Sequence, residues 1–155
     1  MSDEEAQKPL TDLLAPASIR LDSHAADRDD AIRQTGAALI EAGAVAPSYV
    51  DAMLERENSV STFVGEGVAI PHGTLAGKDA VKDDAIVVLR FPDGVDWDGN
   101  TVSVAVGIAA KGNGHIALLS QLATVLLDPD KAAALREAST ADQVYALLAS
   151  DEDDE

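Results

Sequence analysis

An α/β sandwich, with helices on both faces of one sheet, is the fold class that this sequence predicts. Three observations carry it. The chain has 155 residues, 46% of them hydrophobic, which suits one domain with a substantial core. A nearly continuous apolar run, A-I-V-V-L-R-F at residues 85–91, has the composition of a strand buried on both faces, and T-V-S-V-A-V-G-I-A-A at 101–110 alternates into a second buried strand. Segments with helical periodicity lie around them, so strands interleave with helices.

In chain order, residues 1–9 and 150–155 are charged tails expected to be disordered, which leaves a domain over residues 10–149. S-I-R-L-D at 18–22 alternates apolar and polar residues and predicts a first strand. Asp27 is placed to cap a helix with Asp29 and Asp30 in its first turn, Ile32, Leu39 and Ile40 on its apolar face, and Gly43 at its end. A second helix is expected to start near Pro47, carry Val50, Met53 and Leu54 on one face, and end near Glu57 and Asn58. Arg56, in its last turn, reads locally as a cation answering the helix dipole and its glutamate neighbours. Val68, Ala69 and Ile70 form a short strand that Pro71 ends.

A polar connection at 75–84 leads to the first long strand. The turn-rich P-D-G-V-D-W-D-G-N at 92–100 joins it to the second and puts Trp97 in a loop, in a structural role. K-G-N-G-H at 111–115 then enters the strongest amphipathic helix, with Ile116, Leu118, Leu119, Leu122, Val125, Leu126 and Leu127. Two shorter helices close the domain. Asp128-Pro129-Asp130 opens one, and S-T-A-D at 139–142 opens the other with the spacing of a capping box, Asp standing in for Glu.

Composition narrows the function. No run reaches the roughly 18 to 20 apolar residues of a membrane span, and the acidic start is unlike a signal peptide, so a cytoplasmic protein is expected. Cysteine is absent, which removes disulfides, thiolate nucleophiles and cysteine metal sites. The net charge of -17, with lysines and arginines scattered, argues against nucleic acid. Abundant Asp and Ala with few lysines fit a halophilic protein, whose carboxylates repel one another less in high salt.

Chemistry is expected in V-S-T-F-V-G-E-G-V-A-I-P-H-G-T at 60–74. His72 ends a strand between Pro71 and Gly73, on a stiff turn at a strand end, where open α/β sheets bind ligands. Gly65 and Gly67 bracket Glu66, the segment's only carboxylate, and are read as bringing it near His72. His24, in a polar segment, reads as a surface residue. His115 follows a glycine-flanked loop at a helix start, where amide groups converge on an anion and favour a neutral imidazole.

Two histidines and a glutamate could bind zinc, but no H-x-x-x-H pair is present and such a site would need distant residues. A G-x-S-x-G elbow and a Walker loop are both missing from the sequence, against a serine hydrolase and direct use of ATP. His72 remains as a nucleophile that accepts a phosphoryl group on a ring nitrogen and passes it on.

G-E-G-V-A-I-P-H-G-T at 65–74 resembles the active-site signature of enzyme IIA of the fructose and mannitol class, in the phosphoenolpyruvate-dependent sugar phosphotransferase system (PTS). The likeness runs over about residues 29–148, through A-I-R-Q-T-G-A-A-L-I, Y-V-D-A-M-L-E-R-E, F-P-D-G-V-D-W and G-I-A-A-K-G-N-G-H-I. It implies a mixed sheet flanked by helices, no cofactor, and a phosphohistidine at His72. The donor would be the phosphocarrier HPr and the acceptor a cysteine of a IIB domain, whose IIC partner carries the sugar, with fructose preferred to mannitol. The resemblance also implies that His115 lies beside His72 and that Arg56 and Glu66 match the arginine and glutamate of the pocket, which replaces the local reading of Arg56. It demotes Glu66 from catalytic base to a residue that orients an imidazole or meets a partner's cation. Relatives often carry bulkier residues where this chain has G-N-G before His115. The alternative is a nitrogen-related regulatory IIA protein, whose phosphorylation state controls partner binding.

Overall fold

The computed structural model describes residues 13–14, 18–59, 61–73, 80–109, 120 and 122–150. Its sheet contains β1 (Ile19–Arg20), β2 (Phe63–Gly65), β3 (Val68–Ala69), β4 (Ala85–Trp97) and β5 (Asn100–Ala109), in the order β1-β4-β5-β3-β2. The sheet is mixed: β1 runs parallel to β4 and β3 parallel to β5, whereas the β4–β5 and β2–β3 pairs are antiparallel. Helices α1 (Arg28–Glu41), α2 (Tyr49–Ser59), α3 (Pro129–Arg136) and α4 (Ala141–Ser150) cover it, with a further helical stretch at 122–126.

Alternation along the central strands sorts their side chains into two cores. Val68, Ile86, Val88, Val104, Val106 and Ile108 pack on one face with Leu122, Val125, Leu126, Leu135 and Val144. Ala69, Val87, Leu89, Phe91, Val102 and Ala105 face the other way, onto Ile32 and Leu39 of α1 and Tyr49 and Met53 of α2. Helices therefore cover both faces, as the interleaved pattern predicts. Asp27 accepts from Asp30 N–H to cap α1, and Asp128 does the same for the Asp130 and Lys131 N–H groups of α3.

Several expectations shift. β4 does not stop at Phe91; it continues through Pro92 to Trp97, because a register irregularity between Arg90 and Val95 absorbs the proline in a bulge. The chain turns at Asp98-Gly99, both at positive φ, which is the Asp-Gly signal of a tight hairpin. Trp97 is thus the last residue of a strand and is fully buried. Leu127, expected on an apolar face, is 58% exposed. The last helix is capped one residue later than predicted: Thr140 Oγ1 accepts from Gln143 N–H while Gln143 Oε1 accepts from Ser139 N–H. That helix extends through Ser150, which the sequence assigns to the tail. The remaining tail residues 1–9 and 151–155, and Ile116, Leu118 and Leu119, lie outside the described residues.

Candidate active site

His72 is 6% exposed and extends the β3–β5 pairing through a bridge to Ile108. Pro71 C=O accepts from Ile108 N–H at 3.1 Å, so the residue before the histidine is tied to the central sheet. The ring is fixed as well. His72 Nδ1 lies 2.8 Å from Ile70 C=O, and since a carbonyl only accepts, Nδ1 must carry the proton. Nε2 is then the basic nitrogen of the neutral ring.

Tyr49, at the start of α2, holds the other side of this turn. Its hydroxyl donates to Ile108 C=O and accepts from Gly73 N–H, both at 2.9 Å. Burial pushes the Tyr49 phenol above its ordinary value, partly offset by the Gly73 hydrogen bond. The same contact explains Gly73: a Cβ there would sit 2.6 Å from Tyr49 Cε1. Glycine is required by the packed ring, since Gly73 is not among the residues at positive φ. Tyr49 escapes sequence reading because its partners lie 24 and 59 residues away.

Arg56 follows Tyr49 by seven residues, two helical turns, and so shares its face about 10 Å along α2; it is half-buried. The next residue, Glu57, is 3% exposed. Its carboxylate accepts from Thr62 N–H at 2.8 Å, Thr62 Oγ1 at 2.6 Å, Ser61 Oγ at 3.2 Å and Trp97 Nε1 at 2.8 Å. Thr62 C=O in turn accepts from Ile70 N–H at 3.0 Å. The C-terminal end of α2, which carries Arg56, is thereby fastened to the strand that ends at His72.

Glu66 is placed elsewhere. It occupies the tip of the β2–β3 hairpin at φ 56, between Gly65 at φ 94 and Gly67 at φ 76. Its backbone C=O accepts a short hydrogen bond from Arg136 Nη1 of α3, and the two side chains approach to 4.0 Å. Val68 pairs with Val104 and His72 with Ile108, four residues further along β5, which separates the hairpin tip from the histidine by at least about 13 Å of strand. The expectation that the glycines bring this carboxylate to the imidazole is corrected: the strand from Val68 to His72 lies between them. His24 lies on the surface, 62% exposed, with Asp22 and Asp93 beside it at 3.6 and 3.2 Å. His115 lies outside the described residues.

What this arrangement can do is hold one imidazole rigidly, with a proton on Nδ1, at a strand end beside a helix that carries an arginine. The family model described as "phosphoenolpyruvate-dependent sugar phosphotransferase system, EIIA 2" matches residues 12–151. The chain is 48% identical over 132 residues to a multiphosphoryl transfer protein of Escherichia coli O157:H7, covering 84% of this chain and 35% of that one. It therefore spans about a third of that relative's length. It is 38% identical over 135 residues to the mannitol-specific phosphotransferase enzyme IIA component of Staphylococcus aureus strain Mu50, covering 87% of this chain and 94% of that one. Among solved structures, the fold matches the Escherichia coli complex of enzyme IIA-Mtl and phosphorylated enzyme IIB-Mtl with a TM-score of 0.83 and 35% identity, over 89% of this chain and 99% of that one. It matches nitrogen regulatory protein IIA-Ntr of Neisseria meningitidis with a TM-score of 0.79 and 28% identity, over 91% and 99%.

Proposed function

Because the chain belongs to the EIIA type 2 family of the phosphoenolpyruvate-dependent sugar phosphotransferase system, we propose that it carries a phosphoryl group on His72, from phosphorylated HPr to a cysteine of a IIB domain, for sugar uptake through a IIC permease. The observation that carries this reading is the 2.8 Å contact between His72 Nδ1 and Ile70 C=O. With Nδ1 protonated, the Nε2 lone pair attacks the donor's phosphorus in line, forming the new N–P bond as the donor's N–P bond breaks. The product is a phosphoimidazolium that keeps its Nδ1 proton on the Ile70 carbonyl. That positive ring is a good leaving group when a IIB thiolate attacks the same phosphorus. Arg56 is assigned to the equatorial phosphoryl oxygens and, on the family resemblance, His115 to the same group. Glu66 is given no part in the transfer.

Docking and transfer of this kind place the protein in the cytoplasm; among the described residues, no helix is long and apolar enough to cross a membrane. Mannitol is the better-supported sugar, since the relatives above whose names state one are named for mannitol, not for the fructose preferred from the sequence. A regulatory role is the second reading, supported by the likeness to IIA-Ntr at lower identity. Neighbouring IIB and IIC genes would favour transport, and their absence regulation.

The experiment is incubation with enzyme I, HPr and phosphoenolpyruvate, followed by assay for acid-labile, alkali-stable phosphate. Wild type should label and His72→Ala should not. Labelling of His72→Ala at the wild-type rate would overturn the assignment. His115→Ala and Arg56→Ala should slow transfer while leaving the circular dichroism spectrum unchanged.

A further inference from the structure

Glu57 is a buried carboxylate that the proposed transfer does not use, and a continuous run of hydrogen bonds joins it to the reacting imidazole. The carboxylate takes Thr62 N–H at 2.8 Å. Thr62 C=O takes Ile70 N–H at 3.0 Å. Ile70 C=O takes His72 Nδ1 at 2.8 Å. At its other end the carboxylate holds Trp97 Nε1 at 2.8 Å, and Trp97 is the last residue of β4 and fully buried. Each donor at the site points at one of the two carboxylate oxygens: Thr62 N–H, Ser61 Oγ and Trp97 Nε1 at Oε2, Thr62 Oγ1 at Oε1. A carboxylate satisfied this fully in a buried setting is rigid, since any displacement leaves buried donors unpaired.

We propose that Glu57 is a positioning residue for phosphoryl transfer: by fixing residues 61–62 against α2 and Trp97, it sets the Ile70 carbonyl that selects the Nδ1–H tautomer of His72. This rests on His72 being the phosphorylated residue. Glu57 does this by shape more than by charge. At only 3% exposure it has no surface for a partner protein to touch.

Two substitutions separate shape from charge. In Glu57→Gln the amide oxygen replaces Oε2 and still accepts from Thr62 N–H, Ser61 and Trp97, while the NH2 group replaces Oε1 and donates to Thr62 Oγ1, whose hydroxyl can reverse. Glu57→Asp keeps the charge but is one methylene too short to reach all the donors. The experiment measures kcat and KM for phosphorylation by phospho-HPr, the His72 tautomer by long-range proton–nitrogen NMR of the unphosphorylated protein, and Trp97 emission, which reports the indole of the only tryptophan in the chain.

Glu57→Asp should lower kcat by about 10- to 100-fold with KM unchanged, turn His72 into a mixture of tautomers, and shift Trp97 emission. Glu57→Gln should stay within about threefold of wild type, with the Nδ1–H tautomer retained. The proposal is overturned if folded Glu57→Asp keeps the wild-type tautomer, whatever its rate, or if Glu57→Gln loses activity as severely as Glu57→Asp. Failure of wild type to label on His72 would instead sink the proposed function, and the tautomer readout, which needs no phosphate, keeps the two results apart.

Discussion

The two ends of β3 each set a polar residue beside glycine, with backbone bonded to β5 at both, and they differ in what holds that residue. At one end G-E-G sets three consecutive residues at positive φ, on a hairpin tip tied to Arg136. At the other, P-H-G packs against Tyr49, with His72 buried and its ring held by backbone. Glycine serves conformation at the first end and clearance at the second. The comparison teaches that flanking glycines alone do not mark a site: the backbone is tied to β5 at both ends, through Gly67 C=O and Pro71 C=O, and of the two polar side chains it is His72 that is buried and held.

Substitutions at the two ends should therefore behave differently. Gly73→Ala is expected to have the largest effect: its Cβ meets the Tyr49 ring at 2.6 Å, and that ring is anchored through its hydroxyl. It should cost about 1–3 kcal/mol in urea unfolding and slow phosphoryl transfer by about 100-fold. Tyr49→Phe leaves a buried carbonyl and N–H without their partner, and should cost about 1–3 kcal/mol with a transfer loss of about tenfold. Gly67→Ala, at φ 76 and 2.9 Å from the flexible Arg136 Cδ, should cost about 1–2 kcal/mol yet leave transfer unchanged. Glu66→Ala should be smallest, with at most about 1 kcal/mol lost from an exposed ion pair at 4.0 Å and transfer within about twofold of wild type. A tenfold transfer defect in Glu66→Ala would break the comparison, because it would place the hairpin tip in the reaction.

Tyr49 adds a pH dependence of predictable sign. Burial raises its folded-state value above the unfolded one, so the native state retains the phenolic proton longer. Its contribution is fully present below about pH 10 and is lost as pH rises further. Urea unfolding from pH 9 to 11 should show a steeper loss of stability for wild type than for Tyr49→Phe.

Much of this architecture was legible in the residue pattern. The β-branched runs of β4 and β5 and the Asp27 and Asp128 caps announce themselves locally, because burial on both faces and helix starts leave local signatures. Trp97 reads as a loop residue because proline is ordinarily a strand breaker, and only a bulge opposite β5 lets β4 pass through it. His72 stood out through its proline and glycine neighbours. Tyr49 and Glu57 did not, since what distinguishes them is a hydroxyl meeting a backbone 59 residues on and a carboxylate meeting an indole 40 residues on. The expected closeness of Glu66 to His72 fails for the converse reason: nearness along an extended chain is distance in space.

The most direct measurement is NMR of the phosphorylated protein, with nitrogen-15 histidine and phosphorus-31 detection to identify the phosphorylated ring nitrogen. A single phosphohistidine at His72 Nε2, with the proton retained on Nδ1, is the predicted result. Phosphate on Nδ1 of His72, or on any other residue, would contradict it.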